Sequence, residues 1–173
     1  KQKKKMKKLI LMLIMFAPLA AFAQTPKFGH LNTQEIMSSM PELIKVRGEL
    51  EATAKQYEND LKAMQDELQR KAAEYDKNKS TMNETKQKET ETELMTLQQK
   101  IQQAYQDNSE AFQKAQQEKM QPITTKLLDA IKAVGKAGGY VYIMDLSAGI
   151  PYVSDTLSKD VTAEVKAELN KMK

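Results

Sequence analysis

Three features of the sequence predict an α+β chain that is mostly helical. Two runs of apolar residues recur at steps of three and four, a polar stretch separates them, and short β-rich segments lie near both ends. Such steps are typical of helices that pair as coiled coils, and two such runs bury each other most simply as an antiparallel hairpin. The expected architecture is a long helical arm, residues 43–122, on a small β-rich body formed by residues 24–42 and 123–173.

Residues 1–23 have the layout of a cleavable signal peptide. Met6-Lys7-Lys8 begins a basic segment, Leu9 to Phe16 is apolar, and Ala21-Phe22-Ala23 matches a cleavage site. Residues 1–5 precede Met6 and are interpreted as an upstream extension. The apolar run is much shorter than the roughly 20 residues that span a bilayer. We therefore expect export, a mature chain that starts at Gln24, and no stable membrane insertion.

The basic charge of the whole chain belongs to this leader. The chain has 27 Lys and Arg residues against 23 Asp and Glu residues, and six of the lysines lie in residues 1–23, so the rest has 21 basic residues and a net charge of −2. A surface of this charge gives no electrostatic basis for nucleic-acid binding. Because Cys is absent, we expect stability to come from helix pairing or from subunit association.

The apolar stripe of the predicted arm begins at Leu43, disappears between residues 76 and 93, and returns at Leu94. Asn, Ser and Thr in the polar stretch favour turns, so the chain is expected to reverse near residues 78–86. Large apolar residues along the arm are candidates both for the hairpin core, which is the favoured role, and for contact with a bound partner. They are Tyr57, Leu61, Met64, Leu68, Tyr75, Met82, Leu94, Leu97, Ile101, Tyr105 and Phe112.

The N-terminal part of the body is predicted to contain a strand and a short helix. Residues 25–31 form the strand, with Phe28 and His30 on one face. Asn32 is a candidate N-cap of the short helix, with Glu35 as its capping partner three residues later. Pro41 suits the first turn of the long helix that follows.

The C-terminal part of the body begins where the second arm helix ends. Pro122 is expected to bend that helix, and three glycines predict its end, namely Gly135, Gly138 and Gly139. Two short strands, a capping residue and a final helix are then predicted at 140–145, 151–154, Asp160 and 161–172. The final helix carries an apolar stripe made by Val161, Val165 and Leu169.

Three short strands in one chain form a sheet that is marginal alone. Its edges would leave backbone N–H and C=O groups unpaired, and its apolar side chains would remain in water. We therefore expect several chains to pool their strands in one body. The residues predicted at this interface are Phe28, Leu31, Tyr140, Val141, Ile143, Tyr152 and Val153.

An ordered set of segments resembles the Skp/OmpH-like periplasmic chaperones. The set is Phe28 to Ile36 (FGHLNTQEI), Met40-Pro41-Glu42, Gly139 to Asp145 (GYVYIMD), Pro151-Tyr152-Val153 and Asp160 to Val165 (DVTAEV). The resemblance implies a periplasmic homotrimer shaped like a jellyfish, with a β-barrel body built from the terminal segments of three chains and three hairpins as tentacles. It also implies that the cavity between the tentacles holds unfolded outer-membrane proteins without ATP.

Charge sets this chain apart from that family. Members are often strongly basic, which suits lipopolysaccharide, whereas residues 50–115 here have 10 Lys and Arg against 13 Asp and Glu. The resemblance therefore gives no support for a lipopolysaccharide site in this chain.

Residue types predict neither an enzyme nor a cofactor or metal site. His30 is the only histidine and Cys is absent, whereas metal sites and Ser-His-Asp triads need clustered partners. Gly135-Lys136 resembles the end of a phosphate-binding loop, but Ala130 and Ala137 stand where that loop needs Gly and Ser or Thr. The alternative function is a structural coiled-coil spacer or tether in the cell envelope. It explains the stripe equally well, but not why strands lie at both ends of the chain.

Overall fold

The computed structural model describes residues 25–172. The predicted signal peptide, 1–23, lies outside the described residues. The elements in chain order are β1 (Lys27–Leu31), α1 (Thr33–Ser38), α2 (Pro41–Asn78), a 3-10 turn (Lys79–Thr81), α3 (Glu84–Gly138), β2 (Tyr140–Asp145), a 3-10 turn (Leu146–Ala148), β3 (Ser158–Asp160) and α4 (Thr162–Leu169). A long helical hairpin with a small three-stranded sheet confirms the predicted fold class.

The hairpin is formed by α2 and α3, and its reversal lies inside the predicted range 78–86. Pro41 occupies the first turn of α2, where its missing N–H costs nothing. At the reversal, the Asn83 side chain accepts a hydrogen bond from the Lys86 N–H at 2.8 Å and so caps α3. Gln87 Nε2 donates to the carbonyls of Lys79, at 2.9 Å, and Met82, at 3.1 Å. These bonds satisfy backbone groups that a turn without Gly or Pro would leave to solvent.

The sheet has the order β2-β1-β3, and both strand pairs are parallel. The whole hairpin forms the crossover between β1 and β2. The register shifts once, because Lys27 pairs with Tyr140 but Phe28 pairs with Tyr142. Val141 is therefore a bulged residue, which reverses the alternation of side chains along β2.

The third strand is not where the sequence predicted it. Residues 151–154 are irregular, and β3 lies at Ser158–Asp160, where it pairs with Phe28 to His30. Pro151 has no N–H to give to a ladder, which weakens the β preference of the residues after it. Asp160 has the predicted capping role: its carboxylate accepts from the Thr162 N–H at 2.8 Å. The final helix is shorter than predicted, at residues 162–169.

One chain buries a core of its own, larger than its strand count predicted. The core lies between the inner face of the sheet, the body ends of α2 and α3, and the two short helices α1 and α4. It consists of Leu31, Ile36, Met40, Leu43, Ile123, Leu127, Ala130, Val161, Val165 and Leu169. The predicted stripe of the final helix supplies three of these residues.

Helix α3 runs through Pro122 and ends at Gly138. Gly139 follows with a φ of 66°, and its N–H bonds to the carbonyls of Gly135 and Lys136. This left-handed position favours glycine because glycine has no Cβ. Gly135, in contrast, lies within the helix and does not end it. Among residues 25–172, no helix combines the length and the apolar character that a membrane crossing requires.

Candidate interaction surfaces of the arm and the sheet

The arm is two helices thick, and no residue from 44 to 122 is fully buried. The predicted stripe residues are half-buried with one exception. They are Tyr57, Leu61, Met64, Leu68, Tyr75, Met82, Leu94, Leu97, Ile101 and Phe112. Because a two-helix seam covers each side chain on one side only, these residues both hold the hairpin together and present apolar surface at its flanks.

Tyr105 is the exception, since its side chain is 67% exposed. Ala104 takes the half-buried position at this level, so of the two roles predicted for Tyr105 its exposure argues against the hairpin core. The helix reaches Ala104 three residues after Ile101 and Asn108 four residues later, which leaves Tyr105 beside the seam. Met95, which the stripe did not include, is also exposed, at 62%. Tyr105 and Met95 therefore remain available for contact with another molecule.

Four polar contacts across the hairpin fix its antiparallel register. Glu42 pairs with Lys126, and Glu49 pairs with Lys119, each at 2.5 Å. The second pair lies seven residues later in α2 and seven residues earlier in α3 than the first, as an antiparallel register requires. Nearer the tip the contacts are Lys71 with Glu93, and the Tyr75 hydroxyl with Glu91 at 2.5 Å. These exposed pairs specify which residues face each other more than they add stability.

The same contacts shift the pKa values of their members. Hydrogen bonds from Lys126, Lys119 and Lys71 lower the pKa values of Glu42, Glu49 and Glu93, respectively. The pKa of Lys71 is raised by its bond to Glu93, and that of Tyr75 is raised by its bond to Glu91. The carboxylates thus remain charged to lower pH than free side chains would.

The outer face of the sheet is largely open, and it is apolar on the side of β2, whereas β3 contributes Ser158 and Asp160 to it. Phe28 and His30 share this face, as predicted, because the buried residues of β1 are Gly29 and Leu31. The Phe28 ring lies against Tyr142, with the ring centroids 4.8 Å apart. Val141, Tyr142 and Met144 are 62%, 50% and 40% exposed.

The structure divides the residues predicted at a subunit interface into three groups. Phe28 and Val141 lie on the open face, and Tyr152 is 79% exposed in the irregular segment before β3, with Val153 half-buried beside it. Tyr140 and Ile143 pack against the chain's own core. Leu31 lies within that core at 1% exposure, because it points away from the face that Phe28 occupies. Its side chain is thus not available to a second subunit.

A hydrogen-bond network that sequence reasoning missed joins the two ends of the chain. The Asp145 carboxylate accepts from the Thr33 N–H at 3.1 Å and the Thr33 hydroxyl at 2.5 Å, and from the Ser147 N–H at 3.0 Å and its hydroxyl at 2.7 Å. Burial raises the pKa of Asp145, but these bonds outweigh it and hold the pKa below its usual value. The Asp-x-Ser spacing signals the local turn, whereas the contact with Thr33 has no signal in the sequence.

The single histidine ties β3 to β1. His30 Nδ1 lies 2.9 Å from the Ser158 hydroxyl, and the Val161 N–H donates to the His30 carbonyl at 2.9 Å. The contact with Ser158 is partly buried, and Val161 itself belongs to the core. Among the described residues, no group of three or more His, Cys, Asp or Glu side chains is placed to hold a metal ion.

Comparison with known proteins supports one family. A family model described as outer membrane protein (OmpH-like) matches residues 27–169. The chaperone protein Skp of Yersinia enterocolitica is 31% identical over 150 residues, which cover 84% of this chain and 87% of that protein. The Skp protein of Pectobacterium atrosepticum is 26% identical over 88% of this chain and 90% of its own length.

The fold has a counterpart among solved structures. The crystal structure of a putative outer membrane chaperone (OmpH-like) from Caulobacter crescentus superposes with a TM-score of 0.74 over 86% of each chain, at 18% identity. At that identity the likeness supports the shared fold alone, while the family model and the Yersinia relative carry the assignment. This chain therefore belongs to the OmpH-like family that includes the Skp proteins.

Proposed function

We propose that this chain is an ATP-independent holding chaperone of the periplasm that binds unfolded outer-membrane proteins and prevents their aggregation. The relatives are named as chaperones, and the predicted leader accords with export. The observation that carries the proposal is the arm itself, which has no fully buried residue from 44 to 122 and lines its flanks with half-exposed apolar side chains.

The arm suits a partner that has no fixed shape. Tyr, Met and Leu side chains on a surface otherwise made of Lys, Glu and Gln offer many small contacts, and Met adapts to irregular partners. Each contact is weak, but several arms that act on one chain raise the apparent affinity through effective concentration. Release then follows when the client folds or passes to another protein, with no step that consumes nucleotide.

Several arms require an oligomer, and the open sheet face is the surface we propose for it. Phe28, Val141 and Tyr142 lie together there, and β2 is an edge strand whose residues 140–144 carry no charge. Uncharged edges of this kind pair readily with another strand. We propose a homotrimer, the number that the family resemblance implies, with the cavity between three arms as the holding site.

The test is aggregation of an outer-membrane β-barrel protein diluted from denaturant, followed by light scattering without ATP. We expect suppression at one trimer per client. The Tyr105→Ser/Met95→Ser variant removes two exposed apolar side chains of the arm without touching the seam, and should suppress less. Leu128→Ser is the matched control, since Leu128 is 49% exposed but lies on the body part of α3. Full aggregation with the wild-type protein would refute the proposal.

The tether alternative makes a different prediction about partners. A holding chaperone should capture many unfolded barrel proteins from an envelope extract, whereas a tether should capture one or two folded partners. Recovery of a single folded partner, together with no suppression of aggregation, would favour the tether.

A further inference from the structure

We propose that one uncharged side of α3 is the surface of the arm that binds the client, and that it takes an extended, uncharged segment about ten residues long. The inference rests on the proposed function and names the parts of the arm and of the client that meet. This surface, called the neutral flank, consists of Met95, Gln98, Gln99, Gln102, Tyr105, Gln106, Ser109, Gln113, Gln116 and Gln117.

Helix periodicity places these ten residues side by side. At about 100° per residue they fall within an arc of about 120° beside the seam, and all of them are exposed. Residues 95–117 also contain four charged residues, and each of the four lies outside this arc, towards the opposite side of the helix. They are Lys100, Asp107, Glu110 and Lys114. One side of α3 is therefore neutral and the other is charged.

The neutral flank differs from the rest of the arm surface. In α2, residues 51–79 include 13 charged residues among 29, whereas residues 95–117 of α3 include four among 23. Charged side chains keep a thin, exposed helix soluble, and α2 has them around its exposed surface. The absence of charge from one side of α3 therefore needs a reason beyond solubility.

The amide groups of the neutral flank are free to bond with another molecule. Elsewhere in the arm, Gln103 donates to Asp107 at 2.7 Å and Gln56 donates to Asp60 at 2.8 Å. Among residues 25–172, no such bond involves a glutamine of the neutral flank. Each of these amides has both a donor and an acceptor. Such groups suit an unfolded main chain, which presents N–H and C=O groups in equal numbers.

The length of the neutral flank matches a defined piece of a client. From Met95 to Gln117 the helix rises about 33 Å at 1.5 Å per residue, and an extended chain covers that distance with about ten residues. A strand of an outer-membrane β-barrel has about 9–11 residues in the membrane. Its outward side chains are apolar, and Met95 and Tyr105 offer apolar contacts about 15 Å apart along the helix.

Two double variants test the neutral flank in the full chain. Gln102→Glu/Gln113→Glu adds two charges to it with side chains of similar size and helix propensity. Thr96→Glu/Ala111→Glu is the matched control, because it adds the same charge at exposed positions on the other side of α3. The probe is a fluorescently labelled outer-membrane β-barrel protein diluted from urea, and the measurement is its apparent Kd.

We expect the first variant to bind about tenfold more weakly, since two amide donors are lost and two charges must be desolvated, and the control to change by less than about twofold. The wild-type Kd should also change by less than about twofold between about 0.05 and 0.3 M NaCl, because salt does not screen neutral contacts. Circular dichroism confirms that both variants are folded.

Cross-linking locates the contact directly. A benzophenone maleimide is attached to Gln116→Cys, on the neutral flank, or to Ala111→Cys, on the other side, and no native Cys competes for it. We expect client adducts mainly from Gln116→Cys.

Equal weakening in the two double variants, a salt dependence of about tenfold or more, or equal cross-linking from both labels would overturn the neutral flank and leave the proposed function intact. Adducts from Gln116→Cys mainly with a second copy of this chain would overturn it too, because the flank would then pack between arms. No binding by the wild-type protein would overturn both proposals.

Discussion

Alanine substitution at two glycines in the long helices, Gly138 and Gly48, should change the free energy of unfolding in opposite directions. A Cβ at Gly138 would lie 2.3 Å from Cε2 and 2.7 Å from Cδ2 of Tyr140, distances that real Cβ atoms do not reach. The Tyr140 ring has little room to retreat, because on its other side Cδ1 already lies 3.3 Å from the Cβ position of Gly29. A Cβ at Gly48, in contrast, meets open space.

These distances set the expected magnitudes. Gly138→Ala forces the ring or the start of β2 to shift, and overpacking of this kind costs about 1–3 kcal/mol of unfolding free energy. Gly48→Ala should add up to about 1 kcal/mol, because alanine is the better helix former. For a chain of this size 1 kcal/mol corresponds to about 2–4 °C in Tm.

Thermal unfolding followed by circular dichroism at 222 nm measures both variants, at equal protein concentration because association shifts the apparent Tm. We expect a lower Tm for Gly138→Ala and a slightly higher one for Gly48→Ala. Equal shifts, or an unchanged Tm for Gly138→Ala, would show that the Tyr140 ring is not confined between the two glycines.

Three further predictions concern the body. Val141→Asp should leave the chain folded but reduce the mass measured by multi-angle light scattering. Ile143→Asp should unfold the body, as measured by circular dichroism, because the bulge places only Ile143 against the core. The reverse pattern would contradict the bulge. Ile36→Ala should cost about 2–5 kcal/mol in urea unfolding and Ile44→Ala less than about 0.5, because Ile36 is fully buried and Ile44 is 61% exposed. Because the pKa of Asp145 is lower in the folded chain than its unfolded value of 3.8, the group stabilises the fold above pH 3.8, and this stability is lost as pH falls through the folded pKa. Asp145→Asn should therefore flatten the acid side of a plot of unfolding free energy against pH. An unchanged acid side would count against the hydrogen-bond network.

The arm was predictable because its signals are local. Steps of three and four residues identify the seam without knowledge of the partner helix, and the cluster of Asn, Ser and Thr identifies the reversal. The periodicity was ambiguous at Tyr105, because Ala104 and Tyr105 are alternatives for one seam position and Ala104 occupies it. A bulky apolar residue next to an alanine is a weak guide, because the helix phase, not side-chain size, decides which of them turns inward.

The body was less predictable because its contacts join distant parts of the chain. The sequence Ser158-Lys159-Asp160 has no β preference, and it becomes a strand only because β1 offers it an edge. The segment at Tyr152 has the better composition but follows Pro151. The bulge at Val141 likewise arises from pairing with β1, so regular alternation could not show that Val141 and Ile143 face opposite sides.

The order of the strands constrains how the chain folds. Strand β1 pairs only with segments that lie more than a hundred residues later, as in Phe28 with Tyr142 and with Ser158. The hairpin, in contrast, can close from its tip outward, where Tyr75 and Glu91 are 16 residues apart. Contacts that are close in sequence form sooner than distant ones. The helical arm should therefore form before the body that carries it. During synthesis, β1 should remain unpaired until β2 and β3, near the end of the chain, have been made.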